Sequence, residues 1–302
     1  LWYLNTEPIT EAAARPIVSY VSPTSIYDPL DWMFDSVLIF DYALLNENFP
    51  TQTTVDTYIN NLFSGGNIAA LAQTVAALRT ELNDPTYRLN LYLAAPYAPN
   101  TDVNANVQTI IDEYNALNPP ELNLVGFYWG WEEGLAGTSV PEAVTRITNG
   151  VSYIHSQGYE AIWIPANNED YVDSWLSNCS GCGFDRITLQ VNYAFQDVGS
   201  EKFLIADDRV HQHMIDGVEL ELAEVSNPNV PSNQLINSAN AYLDACDQFN
   251  WSENEFTTYY YASPISDHAT DTSGRRAIYD RIYRHIAVNP SHSVLFRVSV
   301  SA

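Results

Sequence analysis

Short apolar runs alternate with amphipathic segments along almost the whole chain, and this alternation limits what the chain can fold into more than any other feature. Runs of strand character lie at Ile17–Val21, Val37–Phe40, Leu89–Leu93, Leu122–Tyr128, Ala161–Ile164, Ile187–Asn192, Val218–Leu222 and Thr257–Tyr261. Helical periodicity marks Thr54–Phe63, Ile68–Leu82, Val103–Leu117, Pro141–Ser156, Tyr171–Ser177, Val210–Ile215, Gln234–Phe249 and Arg275–Ala287. A strand, a helix and another strand in succession require a parallel sheet, because parallel neighbours need a crossover. Eight such units with no linker or low-complexity stretch predict one α/β domain over 1–302, a single (β/α)8 TIM barrel at about 15–290. Residues 291–302 are expected as a C-terminal strand or tail. Val294–Val300 also reads as a strand, giving nine candidates for eight places. Counting from Ile17 is preferred, because Thr257–Tyr261 then ends the barrel with a closing helix. Counting from Val37 leaves no helix after the last strand.

The charge balance limits the partners. Twelve basic residues against 37 acidic ones give a net charge of −25, although charged residues are only 16% of the chain. Nucleic acid, anionic membranes and strongly anionic glycans would be repelled by such a surface. No apolar run approaches the ~20 residues of a membrane span. The chain opens at Leu1 rather than Met, which predicts a processed chain from which any signal peptide has gone; a secreted, extracellular protein and a monomer are expected. Cys179 and Cys182, in Asn178-Cys-Ser-Gly-Cys-Gly, are candidates for a small structural disulfide, with free thiols or a redox or metal pair as alternatives. Cys246 reads as a buried small hydrophobe. His211-Gln212-His213 resembles a metal pair but lies away from the expected site, so no metal and no other cofactor is expected.

In a TIM barrel the chemistry sits at the C-terminal ends of the strands. After the fourth strand in this numbering comes Gly126-Phe-Tyr-Trp-Gly-Trp-Glu-Glu, where Tyr128, Trp129 and Trp131 lead into Glu132 and Glu133. A carboxylic acid among indoles is desolvated, which raises its pKa towards general-acid range. Alternation favours Glu132 for the barrel side, with Glu133 as the alternative. On the seventh strand, Glu219 and Glu221 share one face while Val218, Leu220 and Leu222 share the other. The apolar face must pack on helices, so both glutamates are expected inside, Glu221 nearer the mouth and Glu219 one layer deeper. A structural ion pair would need an inward Arg, and no strand offers an obvious one. Asp41, Asn167, Asn192, Tyr193, Tyr260, Tyr261 and Asp267 fall at other strand ends. Aromatic faces beside amides and carboxylates are what a sugar site requires.

A barrel with one acid after strand four and another on strand seven resembles the clan of retaining glycoside hydrolases that keeps its acid/base and nucleophile there. Tyr193 is similar in place to the Tyr that often bonds the nucleophile in that clan. Where the clan usually has Asn before the acid/base, this chain has Trp131. The segments GFYWGWEE, EAIWIPAN, GFDRITLQVNYAF and GVELEL resemble a bacterial secreted family catalogued as a domain of unknown function. The resemblance implies a hydrolase acting on a neutral or amino-sugar polysaccharide, with Glu132 as general acid/base and Glu221 as nucleophile or base. Retention is the expected outcome. Carboxyl groups ~5 Å apart retain configuration and ~6.5–9.5 Å apart invert it. The alternative is a non-catalytic carbohydrate-binding barrel.

Overall fold

A computed structural model describes residues 2–3, 8–40, 44, 51–96, 101–130, 140–166, 172–191, 201–221, 232–251, 257–261, 269–270, 274–288 and 295–298. The fold is mixed α/β, a curled parallel sheet wrapped by helices. The chain opens with β1 (Trp2–Tyr3), α1 (Glu11–Val18), β2 (Ser19–Ser22) and β3 (Ser25–Trp32). There follow β4 (Ser36–Phe40), α2 (Gln52–Leu62), α3 (Asn67–Glu81), β5 (Leu89–Ala95), α4 (Val103–Leu117) and β6 (Leu122–Trp129). Next come α5 (Val140–Ser156), β7 (Glu160–Trp163), α6 (Val172–Cys179), β8 (Arg186–Gln190) and α7 (Glu201–His211). The chain continues through β9 (Gly217–Glu221), α8 (Ser232–Phe249), β10 (Thr258–Tyr261), α9 (Arg275–Val288) and β11 (Leu295–Val298).

Pairing passes from β4 to β11 in chain order, every ladder parallel. β11 then pairs with β4, setting Leu295 beside Ser36 and Arg297 beside Leu38. The short β1 adds beside the far half of β4, with Trp2 level with Ile39.

This topology corrects the expected strand count. Ile17 and Val18 end α1, and Ser19–Ser22 pairs antiparallel with β3 in a separate two-stranded sheet. Leaving aside the two-residue β1, the count in the large sheet therefore starts at β4, and the tail strand β11 is its last. A Thr10 side chain that accepts the Ala13 N–H caps α1, and Glu11 reaches Arg15 one turn on at 2.8 Å. The apolar run that looked like one strand thus straddles a helix–strand junction at Val18/Ser19. The glutamates shift accordingly: Glu132 follows the third strand of this sheet and Glu221 ends the sixth. Their spacing of three strands is unchanged.

The objection to counting from Val37 was the missing last helix, and the N-terminal segment answers it. Arg15 of α1 bonds Glu81 of α3 through both terminal guanidinium nitrogens, one contact at 2.8 Å. On the other side, the Tyr279 hydroxyl of α9 accepts the Val21 N–H at 3.2 Å and lies 3.0 and 2.9 Å from the carbonyls of Pro16 and Ser19. Tyr20 stacks on Tyr283 with centroids 3.9 Å apart. The segment α1–β2–β3 thus bridges α9 and α3, where a helix after β11 would pack. A second correction concerns Val210–Ile215: α7 starts earlier, at Glu201, and ends at His211.

Within the sheet, glycines make room for polar bridges. Tyr92, Gly126 and Glu160 are level on β5, β6 and β7. With no side chain between them, the Tyr92 hydroxyl reaches Glu160 Oε2 at 2.8 Å. A Cβ on Gly126 would lie 2.5 Å from the Glu160 carbonyl oxygen. Similarly, the Thr258 hydroxyl donates to Thr188 at 3.3 Å across β9, where Gly217 is level with Thr188. Where helices give way to strands, aspartates tie neighbouring strands together. Asp185 accepts the Ala161 N–H at 2.7 Å, and Asp216 accepts the Ile187 N–H at 2.8 Å.

Candidate functional site

The C-terminal ends of β8, β9 and β10 gather buried polar groups: Gln190, Glu219, Glu221 and Tyr260. Both glutamates are 0% exposed. Register sets Glu219 between Gln190 and Thr258, Glu221 beside Tyr260, and Tyr260 beside Arg297. The order Gly-Val-Glu-Leu-Glu produces this placement: Val218 and Leu220, both buried, alternate with the two carboxylates. Two buried carboxylates one pleat apart are costly unless bonded or given a task.

One bond is plain. The Tyr242 hydroxyl of α8 donates to Glu221 Oε2. Tyr242 is itself fully buried, and its ring packs edge-on to Phe203 of α7 at 5.1 Å. Glu221 is therefore held from the helix layer, a partner that the sequence reading did not name. The signal was present: Tyr242 lies in the buried stripe Ala239-Tyr242-Leu243-Cys246 of the helix after β9. A buried tyrosine needs a partner for its hydroxyl. Arg297 lies on β11, the strand that the count from Ile17 leaves outside the barrel. Its backbone is level with Tyr260.

The aromatic run on β6 divides between two faces. Tyr128 is fully buried, its ring edge-on to Phe40 of β4 at 5.7 Å. Gly130 continues that face, where a Cβ would stand 3.2 Å from the Phe40 ring. Trp129 points the other way, onto α5. A Cβ on Gly150 already lies 2.7 Å from the Trp129 indole, so that glycine is the seat of the ring. Phe184 meets Trp129 at 6.4 Å and stacks on Trp163 at 5.5 Å, which makes Trp129 part of the sheet-to-helix packing.

Of the expected site, the structure brings together Glu219, Glu221 and Tyr260, with Tyr261 the last residue of β10. Asp41, Trp131, Glu132, Glu133, Asn167, Asn192, Tyr193 and Asp267 lie outside the described residues. Cys179 and Cys182 are buried free thiols. Among the described residues, no group of three or more His, Cys, Asp or Glu is placed to hold a metal ion. His211 turns its Nδ1 to the Asp207 carbonyl at 2.9 Å.

Residues 5–110 and 103–284 match the family described as "Domain of unknown function (DUF4855)". The chain belongs to that family. No curated protein matches this DUF4855 chain. Among solved structures, it is similar to a family 18 chitinase from Crocus vernus, at 13% identity over 72% of this chain and 78% of that one, with a TM-score of 0.44. A xylose isomerase domain protein from Planctomyces limnophilus shares 10% identity over 74% and 84% of the two chains, with a TM-score of 0.38. An active-site mutant of Rhizomucor miehei β-1,3-glucanosyltransferase, in complex with laminaritriose, shares 11% identity over 88% and 86%, with a TM-score of 0.34. Likeness this low transfers no activity to this DUF4855 member.

Proposed function

We propose that the curled sheet is a closed (β/α)8 barrel and that the protein is an extracellular, monomeric, cofactor-independent glycoside hydrolase acting on a neutral or amino-sugar polysaccharide. The observation that carries this reading is the fully buried pair Glu219 and Glu221 at the end of β9, beside Gln190 and Tyr260. Sequestering carboxylates costs several kcal/mol, roughly, for each ion. A chain that does so at the C-terminal end of a parallel strand puts them where barrel enzymes do their chemistry. In sequence Glu132 follows β6, three strands from β9 in the order of pairing, and it is taken as the second carboxylate of the same mouth. Glu132 protonates the leaving glycosidic oxygen, and Glu221 attacks the anomeric carbon or takes a proton from the attacking water. Glu133 and Glu219 are the alternates for the two roles. Asp41, Tyr128, Trp131, Asn167, Asn192, Tyr193, Tyr260, Tyr261 and Asp267 would line the sugar subsites.

The bond from Tyr242 favours a second reading. A glutamate satisfied from the helix layer can be structural, which suits a barrel that binds glycan without cleaving it. One experiment separates the two: a panel of neutral and amino-sugar polysaccharides scored for new reducing ends and, in parallel, for binding. In the hydrolase, Glu132→Gln and Glu221→Gln each lower turnover by on the order of 10³-fold with unchanged circular dichroism. Binding without new reducing ends in the wild type selects the second reading. Full activity in both variants removes these two residues from the mechanism.

A further inference from the structure

Cys179 and Cys182 stand apart from the glutamate site and do not depend on its reading. Cys179 is the last residue of α6, and the Cys182 N–H donates to the Cys179 carbonyl at 2.9 Å. That bond closes a four-residue turn, Cys179-Ser180-Gly181-Cys182. Such a turn brings its end Cα atoms to less than about 7 Å, and a disulfide needs roughly 4.4–6.8 Å. The two thiols also lie near enough to act on one another's ionisation. Both are buried, whereas Ser180, Gly181 and Gly183 around them are exposed. Nothing approaches within 4 Å of a Cβ built on Gly181. The sulfurs thus lie directly beneath an exposed, unobstructed turn, so a small movement of that turn uncovers them.

We propose that Cys179 and Cys182 form a reversible dithiol–disulfide site, with Cys182 as the attacking sulfur and Cys179 as the resolving one. The thiols themselves are unequal. The neighbouring Cys179 thiol brings Cys182 down to about 7, helped by the Thr148 hydroxyl. The same pairing, then burial, pushes Cys179 up. The attacking thiol should be the one that is a thiolate near neutral pH. The oxidant is a low-molecular-weight disulfide. The Cys182 thiolate attacks one of its sulfurs, forming a mixed disulfide and releasing a thiolate. Cys179 gives its proton to that thiolate and attacks the Cys182 sulfur, releasing the second small thiolate, which takes from solvent the proton that Cys182 lost on ionising. Two protein thiols are oxidised to one disulfide, and the small disulfide is reduced to two thiols. The product ties the end of α6 to the residues that lead into β8, at the opposite end of the strands from the glutamates.

The test uses the folded full chain, equilibrated with glutathione at a graded ratio of oxidised to reduced form. Each sample is acid-quenched, unfolded and alkylated for mass spectrometry. The fully reduced protein should take three alkyl groups, and the oxidised protein one, on Cys246. The oxidised form should melt about 3 °C higher than the reduced form, as a short closed loop implies. Cys179→Ser should trap a glutathione adduct on Cys182, while Cys182→Ser should form an adduct at least tenfold more slowly. Three alkylated cysteines at every glutathione ratio would overturn the site. A disulfide involving Cys246 would overturn the pairing, and faster capture in Cys182→Ser would overturn the roles. Should either serine variant fail to fold, the wild-type titration still decides whether the pair exists.

Discussion

Tyr242 and Glu221 meet where water is excluded on both sides, so their bond should be measurable in the intact protein. Tyr242→Phe keeps the ring against Phe203 and removes only the hydroxyl. The expected cost is about 1–3 kcal/mol, because a buried acceptor loses its donor. Thermal unfolding of Tyr242→Phe, Glu221→Gln and the double variant forms a cycle, and strictly additive losses would show that the bond carries no energy. Gly126→Ala tests the other interior bridge. Its new methyl would meet backbone, the Glu160 carbonyl oxygen, which cannot swing aside. A loss of about 1–3 kcal/mol is expected from overpacking, and an unchanged melting temperature would mean that β6 and β7 part easily. At this scale the alternation on β9 made the shared face of Glu219 and Glu221 legible in the sequence, but not that Glu221 is bonded from the helix layer. Tyr242 was not legible. Its spacing matches the apolar residues around it, and only the fold shows that its hydroxyl meets a carboxylate. The direction of Trp129 was obscured in the same way, since Gly150, which seats it, is distant in sequence.

Among the elements, α1 with its hairpin shows the limit of periodicity. The run from Ile17 to Val21 is apolar in either conformation, and the Thr10 cap that settles its first part as helix lies upstream. Pro29 hid β3, because proline argues against a central strand, yet an edge strand of a two-stranded sheet accepts it. The early turns of α7 escaped because Glu201, Asp207 and Asp208 dilute its apolar stripe. By contrast, α4 was read to the residue: Asp102 caps the first turn and Asn118, at φ 45°, stops the last. The segment before β4 is held to α9 chiefly through the Tyr279 hydroxyl and the ring of Tyr20. Tyr279→Phe should therefore lower the melting temperature by several degrees through unsatisfied groups on Pro16, Ser19 and Val21. Proteolysis should then begin ahead of β4. Initial cleavage elsewhere, at an unchanged melting temperature, would separate the segment from the stability of the fold.

For the molecule as a whole, charge and pH act in defined directions. Burial lowers the pKa of His285, outweighing Asp247 at 3.2 Å, so the folded state prefers the neutral ring. A depressed histidine contributes nothing unfavourable above its unfolded value, about 6.5, and destabilises the fold as pH drops below that value. His285→Gln should flatten the slope of stability between about pH 7 and pH 5.5, and an unaltered slope would assign it to other groups. The net charge of −25 predicts self-repulsion at low salt. Going from 10 to 150 mM sodium chloride shrinks the Debye length from about 30 to about 8 Å, so the melting temperature should rise. A fall would show that attractive pairs such as Arg15–Glu81 outweigh the repulsion. The α/β class and most strand positions could be read from the chain, because each unit carries its own periodicity. Strand order could not, because it depends on which distant segments pair. The β4–β11 ladder joins residues 36–38 to residues 295–297. During synthesis, then, residues 36–38 of β4 wait with one side unfilled until β11 itself has left the ribosome. Until that moment β4 and β10 both present open backbone, and the nascent chain must be shielded from its own copies on neighbouring ribosomes.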